Sequence, residues 1–310
     1  MAADSLNAPH FSDPEKARTY LESQVWPKGP VCPRCGVIGG HYELNGKTTR
    51  PGLYKCKDCR QPFTVTVGTV FERSKIPLNL WLKATYLLCA SKKGMSSLQL
   101  KRMLGVTYKT AWFMTHRIRE AMTSYGVGKF MGGPGSSGIV EADETYWGNL
   151  PGVRRAGNKH KMPIVALLER GGRVRSFHVP TVNAANLKDV LRKNVSKSAH
   201  LMTDESSSYI KIGREFKKHS AVNHKRLEYA RGEVTTNTVE GYFSILKRGL
   251  IGTYHHVGEN HLQRYVREFD FRYNHRSALG VNDTQRADAA LKGICGKRLT
   301  YRRTDLRQNA

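Results

Sequence analysis

Cys32-Pro-Arg-Cys35 and Cys56-Lys-Asp-Cys59 stand 20 residues apart, a pattern that leaves a chain little choice of local fold. Two Cys-x-x-Cys turns at this separation each offer two thiolates to one tetrahedral ion. Cys32, Cys35, Cys56 and Cys59 are therefore expected to hold a structural Zn²⁺. Four thiolates leave no open coordination position, so the ion would stiffen a segment too short to fold alone rather than catalyse. Gly36 suits the tight turn after the first pair. Tyr54-Lys55 and residues 62–67 read as strands of a small ribbon. Two disulfides would require an oxidising compartment, and the polar start MAADSLNAPHFSDPEKA has no signal-peptide core. Of the remaining cysteines, Cys89 lies in the apolar run 82–90 and reads as core, and Cys295 reads as inert.

After the ribbon the pattern turns helical. Pro77-Leu78 opens an apolar helix containing Trp81, Leu87 and Leu88. Residues 96–104, a turn at Gly105-Val106-Thr107 and residues 108–119 then read as a helix-turn-helix, with Ser97 and Thr107 as caps. In that motif the second helix enters the major groove, which makes Tyr108 and Lys109 the candidates for base contact. A plain supporting αα-hairpin has the same pattern and stays open. Residues 126–138 (GVGKFMGGPGSSG) are the clearest boundary.

Charge narrows the class of partner. Lys and Arg total 51 against 25 acids, a net +26 with pI near 10.0. Such an excess goes beyond what solubility asks for and points to a polyanion. Neither a cationic amphipathic helix nor a lipidation signal argues for a membrane, and no apolar run approaches the roughly 18 residues of a span. A soluble, cytoplasmic protein is expected.

Three acids carry the chemistry. Asp143 lies in IVEADETYWG, Asp204 in HLMTDESSSY and Glu240 in TTNTVEGYFSILKRG, with 35 residues between the last two. Asp143 reads as mid-strand with Glu141 on its own face, and Asp204 as the end of a second buried strand. Glu240 falls in a helical repeat with Val239, Phe243 and Leu246, where Lys247 lies two turns on and on the same face. Carboxylate oxygens suit two Mg²⁺ or Mn²⁺ ions about 3.5–4 Å apart, the arrangement that assists in-line displacement at a phosphodiester. Glu144 and Glu205 flank the two Asp, and Arg154, Arg155, Lys159, His160 and Lys161 form a basic loop after the first acid. His255-His256 read as loop residues. Beyond the boundary the pattern gives strands at 139–145, 163–169, 174–179 and 200–203 and a helix at 183–194. Arg170-Gly171-Gly172-Arg173 supplies a hairpin turn.

Together these motifs, and the block NTVEGYFSILKRGLIGTYHHV followed by HLQRYVREFDFRYNHR, resemble the transposases of bacterial insertion sequences. The resemblance is to the group that places a zinc ribbon before an RNase H-like Asp–Asp–Glu core. It implies an α/β fold with a mixed catalytic sheet. It also implies an N-terminal helical segment at 1–30, a zinc ribbon at 31–73 and a helix-turn-helix region at 74–128. A Gly-rich linker at 129–138, a catalytic domain at 139–285 and a basic tail at 286–310 complete the expected organisation. The implied activity is metal-dependent cleavage at the ends of an element and strand transfer into target DNA. Asp143, Asp204 and Glu240 would hold the ions, and Lys247 and Arg248 would contact phosphates. Some members of the group carry Asn as third residue, so Asn237, one turn before Glu240, is the alternative. Glu240 is preferred because a second anion draws a hard cation better than an amide does. The partners implied are terminal inverted repeats and target DNA, met by a homodimer or higher oligomer near the bacterial nucleoid. A DNA-binding regulator with a decayed core and an RNase H-like nuclease are the rival readings.

Overall fold

A computed structural model describes residues 6–123, 130–150, 152–153 and 157–300. The chain divides into two compact units, residues 1–124 with 277–310 and residues 125–276. The division falls at the edge of the glycine-rich stretch.

In the first unit α1 (Pro14–Val25) starts at Asp13, whose carboxylate accepts from the N–H groups of Glu15 and Lys16. Strands β1 (His41–Glu43), β2 (Tyr54–Cys56) and β3 (Pro62–Phe63) form an antiparallel ribbon. Residues 64–67 do not extend its last strand as expected. They turn, because the Val67 N–H donates to the Thr64 carbonyl at 3.1 Å. Next comes α2 (Leu78–Ala90), which buries Trp81, Leu82, Leu88 and Cys89.

Helices α3 (Ser97–Leu104) and α4 (Tyr108–Ala121) make the helix-turn-helix, joined through Gly105 at φ +67°, where glycine escapes the Cβ penalty. Ser96 caps α3 in place of Ser97 and accepts from the Gln99 N–H. Ser97 already has helical backbone, and its hydroxyl lies 3.4 Å from that of Thr115. Thr107 caps α4 as expected. From Met114 to Ala121 every residue of α4 is buried, which leaves its first turns as the accessible part.

The second unit is built on a five-stranded sheet in the order β6-β5-β4-β7-β8. Its strands are β4 (Ile139–Trp147), β5 (Met162–Glu169), β6 (Val174–His178), β7 (His200–Thr203) and β8 (Lys218–Ala221). The first three form an antiparallel meander, and β7 and β8 run parallel to β4. This mixed sheet is the RNase H-like core that the resemblance implied. On one face Val140, Ala142 and Leu201 pack against α5 (Ala184–Asn194) and α6 (Ser207–Gly213). A short hairpin, β9 (Ala230–Arg231) and β10 (Val234–Thr235), leads to α7 (Asn237–Gly249) and α8 (Glu259–Asn274). These two helices cover the other face over Ile164, Ala166 and Leu168.

One sheet edge is closed by side chains. The outward N–H groups of Val174, Ser176 and His178 on β6 donate to Asn274, Asp270 and Gln263 of α8 at 2.7–2.8 Å. An edge whose donors are taken this way cannot pair with another strand. Part of the expected linker is also built in. Met131 is fully buried and exchanges backbone hydrogen bonds with Asn194 and Ser196. Gly132 leaves no room for a Cβ, which would lie 2.5 Å from that of Ala199.

The chain finally returns to the first unit as α9 (Asp283–Lys292), closed at its start by a capping box between Asn282 and Gln285. Residues 286–292 are thus not tail. Ala287, Ala290 and Leu291 bury a narrow stripe, and Arg286 is buried and donates to the Cys89 carbonyl at 3.2 Å. Charged neighbours hide that stripe in the sequence. Residues 301–310, also assigned to the tail, lie outside the described residues. Among the described residues no helix is long and apolar enough to cross a membrane.

Candidate active site

The two Asp are brought level by register. Ile139 pairs with His200 and Glu141 with Met202 in the parallel β4–β7 ladder. Continuing that register two residues, just past the end of β7, sets Asp204 beside Asp143, which feels its charge, on the face of β4 that bears α7. The Asp143 carboxylate accepts from the Glu144 N–H at 2.7 Å, and that of Asp204 from the Ser206 N–H at 3.0 Å. Burial pushes Asp143 up to about 7, helped by the charges of Glu144, Asp204 and Glu240. Asp204 is raised as well, by burial and then by Glu205.

Glu141 places the third acid. Its side chain is fully buried and lies on the α7 face, two residues before Asp143. One carboxylate oxygen accepts from the N–H groups of Thr238 and Val239 at 2.9 and 3.0 Å. The other accepts from the Thr238 hydroxyl at 2.9 Å and from Arg170 at 2.7 Å. A buried anion thereby satisfies the free donors at the start of α7 and favours its positive end. The role is structural, and it fixes the turn that carries Glu240. The Thr236 hydroxyl donates to Glu240 Oε1 at 2.7 Å, and His224 Nε2 lies 3.5 Å from the same oxygen.

On the opposite face, Glu144 Oε2 accepts from the buried Tyr209 hydroxyl of α6 at 2.7 Å. This bond ties the strand of the first acid to the helix that follows the second. Sequence reasoning missed Tyr209 and His224. The basic triplet His224-Lys225-Arg226 between the second and third acids was the available signal for the latter.

The other expected residues are more peripheral. Asn237 is the exposed first residue of α7, its N–H donating to the Thr235 hydroxyl at 3.0 Å. Lys247 and Arg248 are exposed in the last turn. Glu205 turns toward the 224 loop and accepts from the His224 N–H at 3.0 Å. His160, expected in a basic loop, is buried, and its carbonyl accepts from the Leu150 N–H at 2.6 Å. Arg154 and Arg155 lie outside the described residues.

The three acids share a field, since the charges of Asp204 and Glu240 both act on Asp143. They are less tightly drawn than the ribbon thiolates. Cys32, Cys35, Cys56 and Cys59 form the one group of three or more His, Cys, Asp or Glu among the described residues whose ligand atoms all lie within 4.8 Å of one another. The sulfurs of Cys32 and Cys59 are 3.6 Å apart and those of Cys35 and Cys56 3.5 Å. A tetrahedron with Zn–S bonds of about 2.3 Å has edges of roughly 3.8 Å, so the four sulfurs fit structural Zn²⁺. Both knuckles are built alike, with Cys32 N–H donating to Val37 and Cys56 N–H to Gln61. Each has a left-handed residue after its second cysteine, Gly36 at φ +78° and Arg60 at φ +56°. Burial raises the Cys32 thiol, but the N–H groups of Cys35 and Arg34 outweigh it and bring it to about 7. The Cys35 thiol is pushed up to about 12 by the other sulfurs, despite the Val37 N–H.

In the helix-turn-helix Tyr108 is 53% exposed and Lys109 is exposed beside it, both at the accessible start of α4.

Comparison with known proteins gives these features a family. Residues 136–274 match the family model of the ISXO2-like transposase domain, and residues 12–62 that of the transposase zinc-ribbon domain. An uncharacterized protein in transposable element ISH50 of Halobacterium salinarum is 29% identical over 287 residues, covering 84% of this chain and 91% of its own. The Mos1 strand transfer complex is similar at 14% identity over 65% of this chain and 78% of that one, with a TM-score of 0.22. A Mos1 transposase paired-end complex is similar at 13% identity over 70% and 80%, also at 0.22. Superpositions so distant carry no weight for fold or function. The two family matches, the four thiolates and the mixed sheet agree with one another: the chain belongs to the insertion-sequence transposases that carry a zinc ribbon ahead of an RNase H-like transposase domain.

Proposed function

We propose that this protein binds the ends of its insertion sequence and catalyses DNA cleavage and strand transfer, with Asp143, Asp204 and Glu240 as the catalytic acids. The observation that carries the reading is the register that levels Asp143 with Asp204, beside a helix pinned by Glu141 to bring up Glu240. An all-oxygen donor set in which burial, helped by the neighbouring acids, raises Asp143 to about 7 fits a hard divalent cation. Two Mg²⁺ or Mn²⁺ ions, when bound, would supply the Lewis-acid assistance for displacement at phosphorus. The protein's part is to hold the carboxylates on rigid elements and to place the DNA. Lys247 and Arg248, exposed at the far end of α7, would contact phosphates, which position the strand without reading it. Tyr108 and Lys109 would meet base edges in the major groove. Two ends must be joined, so a dimer or larger assembly on DNA follows. Glu240 is the third ligand in this reading, and Asn237 the alternative one turn earlier.

The test is to incubate the zinc-loaded protein with Mg²⁺ and a labelled duplex carrying the element's end, beside Asp204→Asn. Cleavage at the end by the parent alone, with equal binding by both, is expected. Tight binding without cleavage in Mg²⁺ and in Mn²⁺ would instead mark a regulator. Glu240→Gln set against Asn237→Ala separates the two candidates for third ligand by which one loses cleavage.

A further inference from the structure

Two adjoining clefts in the first unit are lined with cations that, Lys109 apart, the helix-turn-helix reading leaves unused. The first, of about 320 Å³, lies between residues 73–76 and the start of α4. Its floor is Trp81, Phe113 and Met114, and Arg73, Lys75, Lys109 and Arg117 line it without a carboxylate. The second, of about 330 Å³, shares Arg73 and Trp81 and runs on to Arg34 and Arg50 of the ribbon, with Glu72 as its one acid.

The junction is rigid. Ser74 Oγ accepts from the Trp81 indole N–H at 2.9 Å and from the Ile76 N–H at 3.1 Å. Arg117 donates to the Glu72 carbonyl at 3.2 Å, with its guanidinium 4.6 Å from the Phe113 ring. Arg73 holds a left-handed backbone at φ +55°, a conformation that costs a residue with a side chain about 1–2 kcal/mol. Its side chain is 78% exposed and pairs with Glu72 at 3.7 Å, the kind of surface pair that contributes little. Strain kept at a cationic junction is a mark of a working site.

We infer that the two clefts form one preshaped track for the sugar–phosphate backbone of duplex DNA, running from Arg34 and Arg50 through Arg73 and Lys75 to the start of α4, where Lys109 is left for the bases. The inference rests on the DNA-binding role proposed above and makes the ribbon and the helix-turn-helix a single composite reader. Backbone contacts release counterions, so they set affinity and its salt dependence without setting sequence preference.

The experiment measures binding of the element's end and of a scrambled duplex by fluorescence anisotropy across 50–200 mM salt, about the range over which such contacts are read. Parent protein is compared with Arg73→Gln/Lys75→Gln and with the charge-keeping Arg73→Lys/Lys75→Arg, all with zinc content checked. Losing two phosphate contacts should lower the slope of log affinity against log salt by about 1.8 and weaken both duplexes roughly 60-fold at 0.1 M salt. The charge-keeping pair should behave as parent. Arg50→Gln alone, at the far end of the track, should lower the slope by about 0.9, so the claim stays testable if the double variant is unstable. An unchanged slope in variants that bind like the parent overturns the track alone. A loss confined to the element's end overturns it too, because that is base reading. A parent that binds neither duplex removes the DNA reading itself and this inference with it.

Discussion

The zinc ribbon and the five-stranded sheet solve opposite problems. The ribbon's core is Cys32, Tyr54, Cys56 and Phe63, with Trp26, Cys59 and Val67 at its margin. Two of its four buried side chains are themselves metal ligands, so little apolar surface remains to hold the strands. The sheet instead lies between two large apolar layers. At about 1.5–3 kcal/mol for each well-buried aliphatic side chain, those layers can carry costly groups such as the Glu141 anion and the raised Asp143. In the ribbon the ligands make the fold. In the sheet the fold places the acids.

The sharpest way to break that contrast is to remove the zinc. A structural site contributes on the order of 10 kcal/mol of folding energy, so chelation or Cys56→Ser should unfold the ribbon while the sheet unit keeps its cooperative melt. Zinc content with amide exchange resolved by region checks this. A ribbon protected without zinc would erase the distinction.

Next in size is Glu141→Ala. It strips the buried partner from Arg170 and the cap from α7, and should cost about 3–5 kcal/mol in urea unfolding with ribbon protection unchanged. A loss below 1 kcal/mol would mean that the apolar layers alone place the helix.

Asp143→Asn should do the reverse in metal-free protein. The Asp143 carboxyl is raised in the folded state, so its contribution is most favourable at low pH. That contribution is lost as pH climbs from the ordinary carboxylate range through about 7. The neutral amide escapes this, and should add roughly a few kcal/mol to stability at pH 8 and about half as much at pH 5.5, at about 1.36 kcal/mol per unit of pKa. Unfolding curves at the two pH values test the sign. Added Mg²⁺ should narrow the gap, since it stabilises the parent alone.

The smallest effect compares the two knuckles. Arg60→Gly relieves a left-handed residue and should stabilise by up to about 1 kcal/mol. Gly36→Ala imposes the same strain on its counterpart, where space is open, and should cost about as much. Zinc-loaded melting temperatures decide.

Legibility followed the range of the interactions. The thiolate spacing, the cap at Thr107, the hairpin turn at 170–173 and the four-residue strand β7 are local, and the sequence carries them on its face. The strand β8, the Tyr209–Glu144 bond and the docking of α9 were not visible. Each depends on a partner distant along the chain, and its own residues are polar enough to pass for loop or tail. Glu141 was noticed for its face, but only contacts 97 and 98 residues away give it a task.

By itself, then, the sequence determined which atoms are available: four sulfurs at knuckle spacing, three acids in strand, strand and helix contexts, and a large positive charge. Those follow from residue identity and local periodicity, which need no folding to read. Tertiary structure alone decided that Asp204 comes level with Asp143, that a buried Glu141 fixes the turn bearing Glu240, and that Arg73 faces a cleft shared by ribbon and helices. These depend on strand register and on which distant donors a buried charge finds. Both are settled when the apolar layers close, because only then does an unpaired buried charge or a slipped strand become too costly to keep.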